Sequence, residues 1–136
     1  MLEKTLAIIK PDAVLAKNSG KIIDRIEQEG FGILTIKKIQ LTRQQAESFY
    51  NIHKNKRFFA GLIEFMTSGP VILMVLQKEN AIKAWRDLMG ATDPAQAQEN
   101  TLRKIYGTDK GKNALHGSDS SQTAMWEIKF FFPEIE

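Results

Sequence analysis

Six apolar residues stand in a row between Pro70 and Gln77: Val71, Ile72, Leu73, Met74, Val75 and Leu76. Successive side chains of a strand point to opposite faces, so an unbroken apolar run makes sense as a strand only where both faces are covered. The run is far too short for a membrane helix, which takes about 20 residues. It therefore predicts a sheet with helices packed on both sides. Leu6-Ala7-Ile8-Ile9 is a second run of this kind, halted at Lys10-Pro11-Asp12 because proline removes a ladder donor.

The remaining pattern fits around these two strands. After Gly20, Ile22, Ile23 and Ile26 recur at helical spacing until Gly30, and Gly32 to Leu41 then alternates, with Leu34, Ile36 and Ile39 set among polar residues as a further strand. Thr42 is placed to cap a helix carrying Ala46, Phe49, Tyr50 and His53 on one stripe. A short helix from Ala60 to Met66 ends at Ser68-Gly69-Pro70, and another from Ala81 to Met89 stops at Gly90. Ala91 to Gly111 is mostly polar, with one helical turn near Thr101 to Ile105. Ala114-Leu115-His116 reads as a short strand, and Asp119 or Ser120 as the cap of a last helix reaching about Lys129. Strands near Leu6, Leu34, Ile72 and Leu115, with helices between them, predict an α+β fold. The expected form is a ferredoxin-like split βαβ sandwich, a four-stranded antiparallel sheet covered by helices. No repeat or linker divides the 136 residues, so a single domain over 1–136 is expected.

Composition removes several chemistries. The chain has no cysteine, which excludes disulfide staples, thiolate metal sites and thiol catalysis. It has two histidines and no metal-ligand spacing, which argues against a metal hydrolase. Lys and Arg number 19 against 16 Asp and Glu, an excess too small to imply nucleic-acid binding, though basic groups gathered in one cleft would suit a small polyanion. No secretory signal or spanning segment is visible, so a cytoplasmic protein without membrane attachment is expected.

Chemistry concentrates in Asn113-Ala114-Leu115-His116-Gly117-Ser118-Asp119. His116 follows two apolar residues and precedes a glycine, so it should lie where a strand leaves the sheet. Gly117 then permits a sharp turn and the close approach of a ligand, and Ser118 and Asp119 open a helix whose N-terminus favours anions. An imidazole is substantially neutral and nucleophilic at neutral pH, since its unperturbed pKa is about 6.5. Which nitrogen attacks depends on what holds the proton on the other. Glu127 supplies that carboxylate if the fold returns it to the strand end. The other histidine, His53, shares a helical stripe with core residues and reads as structural.

This heptad resembles the Asn-x-x-His-Gly-Ser-Asp signature of nucleoside diphosphate kinases. The resemblance extends through Lys10-Pro11-Asp12, Phe58-Phe59-Ala60-Gly61-Leu62, Ser68-Gly69-Pro70 and Thr92-Asp93-Pro94-Ala95, in order and over nearly the whole chain. It implies that His116 is a nucleophile that carries the phosphate. Glu127 would orient its ring with help from Ser118, and Lys10 would reach the moving phosphate and the sugar, with Tyr50 nearby. Arg86, Thr92 and Arg103 would clamp the other phosphates, Asn113 would bond the sugar 3′-hydroxyl, and Phe58 and Leu62 would hold the base. Phosphoryl transfer asks mainly for positioning and cationic stabilisation, which these residue types supply. The implied partners are nucleoside di- and triphosphates, with magnesium arriving on the phosphates and no metal cage in the protein. The resemblance also implies low base specificity and a homo-oligomer, a dimer-based tetramer or hexamer.

Some features depart from the family or mimic other functions. Arg57 stands before the aromatic pair where the family often has proline, which makes the entrance to the base site more basic. Thr123 replaces a usual serine, and Met125 and Trp126 replace commonly polar positions. Gly107 to Asn113 imitates a phosphate-binding P-loop but has three residues between its glycines where four are required. An RNA-binding sheet of similar topology would expose aromatics on its central strands, whereas Val71 to Leu76 is aliphatic, so no specific nucleic acid is expected. A catalytically silent nucleotide sensor on the same fold is the nearest rival, and the intact set around His116 argues against it.

Overall fold

The computed structural model describes residues 2–135. Four strands, β1 (Leu2–Ile9), β2 (Gly32–Ile39), β3 (Val71–Glu79) and β4 (Leu115–Gly117), form one sheet in the order β2-β3-β1-β4. Every neighbouring pair is antiparallel. That order with intervening helices is the ferredoxin-like arrangement expected from the strand spacing. The helices are α1 (Pro11–Leu15), α2 (Ser19–Gln28), α3 (Arg43–Phe49), α4 (Phe59–Met66), α5 (Ala81–Met89), α6 (Leu102–Tyr106) and α7 (Ser121–Phe131).

The two apolar runs are the central strands, and both of their faces are indeed covered. Ala7, Ile9, Ile72, Met74 and Leu76 pack on one side against Ile22 and Ile26 of α2 and Trp85, Leu88 and Met89 of α5. Leu6, Ile8, Val71, Leu73 and Val75 pack on the other against Ala46 and Phe49 of α3, Ile63 and Met66 of α4, and Ala124, Ile128 and Phe131 of α7. Each such aliphatic side chain contributes about 1.5 to 3 kcal/mol when removed from water. The central pair therefore fixes the sheet, and the shorter β4 is hung on β1.

Several local expectations change. Pro11 does not merely stop β1 but opens a helix, because the first helical position needs no N–H and prefers proline's fixed φ. In β2 a register shift between Ile33 and Thr35 puts Ile33 and Ile39 on opposite faces of the sheet. Leu34 and Ile36 are about half exposed, and Ile33 and Ile39 pack against the core instead. Helix α3 ends at Phe49, so His53 belongs to a following 3-10 turn rather than to the helical stripe. Thr42 caps α3 with a complete capping box, its hydroxyl accepting from Gln45 N at 3.0 Å while Gln45 Oε1 accepts from Thr42 N at 2.9 Å. At the last helix Ser120, not Asp119, is the cap, accepting from Thr123 N at 3.1 Å.

Candidate active site

β4 pairs Ala7 with Gly117, Ile8 with His116 and Ile9 with Leu115. His116 therefore shares a face with Ile8, the face covered by α3, α4 and α7. Helix α7 buries Ala124, Glu127, Ile128 and Phe131, an i, i+3, i+4, i+7 stripe that carries Glu127 inward to the sheet. There Glu127 Oε1 lies 3.0 Å from His116 Nε2 and accepts from Ser118 Oγ at 2.8 Å. Ser118 is fully buried and its oxygen also accepts from Leu6 N at 3.2 Å, which locks the hydroxyl proton toward Glu127. A carboxylate on Nε2 selects the tautomer with the proton there, leaving Nδ1 with a free lone pair. The imidazole is 17 % exposed, enough for a ligand to reach it. Phe49 and Tyr50 flank the ring edge-on, with centroids 5.4 and 6.4 Å away.

Gly117 has a different role from the one expected. An added Cβ there would meet Trp85 Cδ1 at 2.5 Å and Met89 Cε at 2.6 Å, so glycine lets α5 lie directly on β4. Trp85 Nε1 then donates to His116 O at 3.2 Å. Ser118 likewise supports Glu127 instead of opening a helix.

Across the strand end, Lys10 follows β1 with extended backbone, φ −75° and ψ 164°, as a residue before proline should. Its ammonium donates to Asn113 Oδ1 at 2.8 Å, and Asn113 Nδ2 donates to Thr92 O and Lys110 O, both at 3.0 Å. Two Lys10 protons and one Asn113 lone pair remain for a ligand. Burial, reinforced by the Arg103 guanidinium and opposed by Asp12, lowers the Lys10 pKa to about 8.

Arg103 does not project freely. Its guanidinium donates to Gly90 O at 3.0 Å and Leu115 O at 2.9 Å, which ties α6 to the ends of α5 and β4. Gly90 makes this possible with φ +87° and a Cα so close to Thr101 that a Cβ would lie 2.5 Å from its hydroxyl oxygen. Arg103 Nε is buried with no protein partner, as are Tyr50 Oη and His53 Nδ1. Burial, then the negative charge of Glu127, raises the Tyr50 pKa and keeps the phenol a donor. Buried polar groups are normally satisfied, so three unpartnered ones on one cleft mark a place where a polar ligand belongs.

That cleft has a volume of about 1470 Å³, more than the roughly 300 to 1,000 Å³ of most small-molecule pockets. His116, Lys10, Tyr50, Phe58, Leu62, Arg86, Thr92, Arg103 and Asn113 all line it. Lys10 and Arg103 are tied to the segment that carries His116, and Phe58 and Leu62 add apolar surface to the same cleft. Glu127 and Ser118 stand behind His116. His53 also lines the cleft, its ring 5.4 Å from that of Phe58. The Phe58 ring carries Lys56 Nζ at 5.6 Å, and Arg57, Lys110 and Lys112 extend the basic rim. Proximity in sequence to Phe58 was a usable signal for His53 and Lys56; nothing in the sequence marked Phe49 as a neighbour of His116.

Comparison with known proteins agrees with this geometry. The family model described as "Nucleoside diphosphate kinase" matches residues 3–136. A nucleoside diphosphate kinase of Persephonella marina is 50 % identical over 135 residues, covering 99 % of this chain and 96 % of that one. The crystal structure of the Aquifex aeolicus nucleoside diphosphate kinase superposes with a TM-score of 0.94 at 47 % identity, covering 97 % of this chain and 96 % of that one. A halophilic nucleoside diphosphate kinase from Halobacterium salinarum, solved in complex with CDP, gives a TM-score of 0.94 at 39 % identity over 97 % and 88 % of the two chains. The chain belongs to the nucleoside diphosphate kinase family, and is an enzyme that transfers phosphate between nucleoside triphosphates and diphosphates.

Proposed function

We propose that the transfer runs through His116 in a ping-pong reaction. The observation that carries this reading is the Ser118–Glu127–His116 chain of hydrogen bonds, which leaves Nδ1 bare in a cleft that Lys10, Arg86 and Arg103 also line. The Nδ1 lone pair attacks the γ-phosphorus of the donor. The bond from that phosphorus to the bridging oxygen breaks, and the diphosphate leaves with the electron pair. The ring then holds the phosphoryl group and gains positive charge, which Glu127 stabilises at Nε2. A second diphosphate enters the same cleft and takes the group by the reverse step.

Lys10 and Tyr50 donate to the moving phosphate, Arg86, Thr92 and Arg103 hold the others, and Asn113 accepts from the sugar hydroxyl. Phe58 stacks on the base while Leu62 packs beside it. The apolar wall they form supports low base specificity, because any base offers a π-face. Magnesium fits as part of the nucleotide. Cations line the cleft, and among the described residues no group of three His, Cys, Asp or Glu is placed to hold a metal. Phosphate oxygens and water would therefore hold the ion, which supplies charge neutralisation between phosphates.

A homo-oligomer is part of this reading, supported by the half-exposed Leu34 and Ile36 on the edge strand β2. So is a cytoplasmic setting, where the nucleotide substrates are. No helix among the described residues is long and apolar enough to cross a membrane.

The test uses labelled ATP with magnesium. The protein, stripped of nucleotide, should carry an acid-labile phosphate on His116 and convert added GDP to GTP. His116→Gln should bind nucleotide and transfer nothing. Full exchange by a protein that never holds phosphate would replace this mechanism with direct transfer in a ternary complex.

A further inference from the structure

Ala114 lies two residues before His116 with φ +74°, a left-handed conformation that costs a residue with a Cβ. Leu115 N donates to Asn113 O at 2.9 Å around it, closing a three-residue γ-turn of the rare positive-φ kind. This reversal sends the Asn113 side chain toward Lys10 and the next three residues into β4. The turn is clamped from one distant segment. Lys10 N donates to Ala114 O at 2.8 Å, and Ala114 N donates to Asp12 Oδ2 at 3.0 Å.

Three features single out the Asp12 carboxylate. It reaches across 102 residues of sequence to a backbone N–H inside the buried turn. Its other oxygen is buried with no hydrogen-bond partner, and the carboxylate as a whole also faces the Ala13 and Asp12 backbone N–H groups that open α1. Pro11 stands between it and Lys10, so the ammonium that points at the cleft and the carboxylate that pins the turn are set by one rigid corner.

We infer that Asp12 is a positioning residue for the transfer: its carboxylate pins the strained turn at Ala114 and thereby fixes His116 relative to the Lys10–Asn113 pair. The inference rests on the phosphohistidine reading above. A carboxylate suits the task because hydrogen bonds to an ionised acceptor are about twice as strong as neutral ones. Misplacing reacting groups by about 1 Å through a remote change can cost about 100-fold in rate, so loss of this support should slow transfer by about 10- to 100-fold.

The experiment is single-turnover phosphorylation of the full chain by ATP and magnesium, with thermal melting alongside. Asp12→Ala is expected to slow phosphorylation by about 10- to 100-fold. Asp12→Asn keeps an acceptor oxygen for the Ala114 N–H and should recover most of that loss. In the Asp12→Ala background, Ala114→Gly should also recover much of it, because glycine adopts the turn without help. If Asp12→Ala fails to fold, the double variant and Asp12→Asn are read against the wild type instead, and both should phosphorylate within about 10-fold of it. A folded Asp12→Ala that phosphorylates at the wild-type rate overturns the inference, as does a double variant or an Asp12→Asn no faster than Asp12→Ala. Wild type is run first: if it takes no phosphate, the functional reading itself fails and this inference falls with it.

Discussion

Replacing Glu127 with glutamine isolates what its charge does. Both of its hydrogen bonds, from His116 and from Ser118, converge on Oε1. Glutamine can present its carbonyl oxygen to the same two donors, so the fold should lose little. What disappears is the negative charge 3.0 Å from Nε2 as the ring acquires positive charge. At that separation a full unit charge is worth roughly 5 kcal/mol with an effective dielectric of about 20. A transition state that has developed about half the ring charge realises about 2.5 kcal/mol, or a rate factor of about 70. The assay is quench-flow formation of phosphoprotein from ATP, with equilibrium binding of ADP measured on the same protein. Glu127→Gln should form phosphohistidine about 70-fold more slowly, with ADP affinity within about twofold of the wild type. Phosphorylation at the wild-type rate refutes the electrostatic role. A loss of rate matched by an equal loss of ADP affinity refutes it too, since the cleft would then have changed shape.

Lys10 titrates near pH 8, well below its ordinary value of 10.5. Its cation is present below about pH 8 and lost above it, so kcat/KM should fall through that pH. ADP binding near pH 8.5 should take up a proton, detected by calorimetry in buffers of different ionisation enthalpy and absent in Lys10→Met. The stability term has the opposite sign: between about pH 8 and 10.5 the unfolded chain holds the proton more tightly, so stability from this group rises with pH. Phe58→Ala should weaken purine and pyrimidine nucleotides alike by about 1 to 3 kcal/mol, and strong selectivity in the loss would contradict simple stacking. Gly117→Ala should destabilise the protein by about 1 to 3 kcal/mol through overpacking against Trp85; an unchanged melting temperature would show that α5 can move away.

The sheet was legible because its central strands are buried on both faces. Leu6 to Ile9 and Val71 to Leu76 leave no polar position to suggest any other environment, and all of Leu6 to Ile9 is inaccessible to solvent. β2 was legible as a strand but not in its facing. A register shift between Ile33 and Thr35 puts Ile33 and Ile39 on opposite faces, and no local propensity announces it, since the extra residue is accommodated by strand-to-strand hydrogen bonding. The start of α1 was hidden by reading Pro11 only as a breaker, when the same ring geometry also suits the first position of a helix.

The cleft residues were legible as chemical types, because phosphate-seeking and base-stacking side chains are few. Their support was not. Arg103 reads on the sequence as a free cation, yet it spends donors on Gly90 O and Leu115 O and so holds the cleft wall as well as facing the cleft. Gly117 reads as a ligand-approach glycine, yet what approaches it is Trp85. Ala114 reads as ordinary strand, since alanine gives no warning of a positive φ. In each case the missing information is a contact between segments remote in the chain, and in each case the contact sets a backbone position and not a side-chain identity. The His116 segment therefore names the groups of the proposed transfer, while the 3.0 Å spacing of His116 from Glu127 depends on how α5 lies against Gly117 and how α7 turns its buried stripe to the sheet. A transplant of residues 113–119 onto another four-stranded sheet would carry the imidazole without that spacing, and by the same argument should carry little of the reactivity.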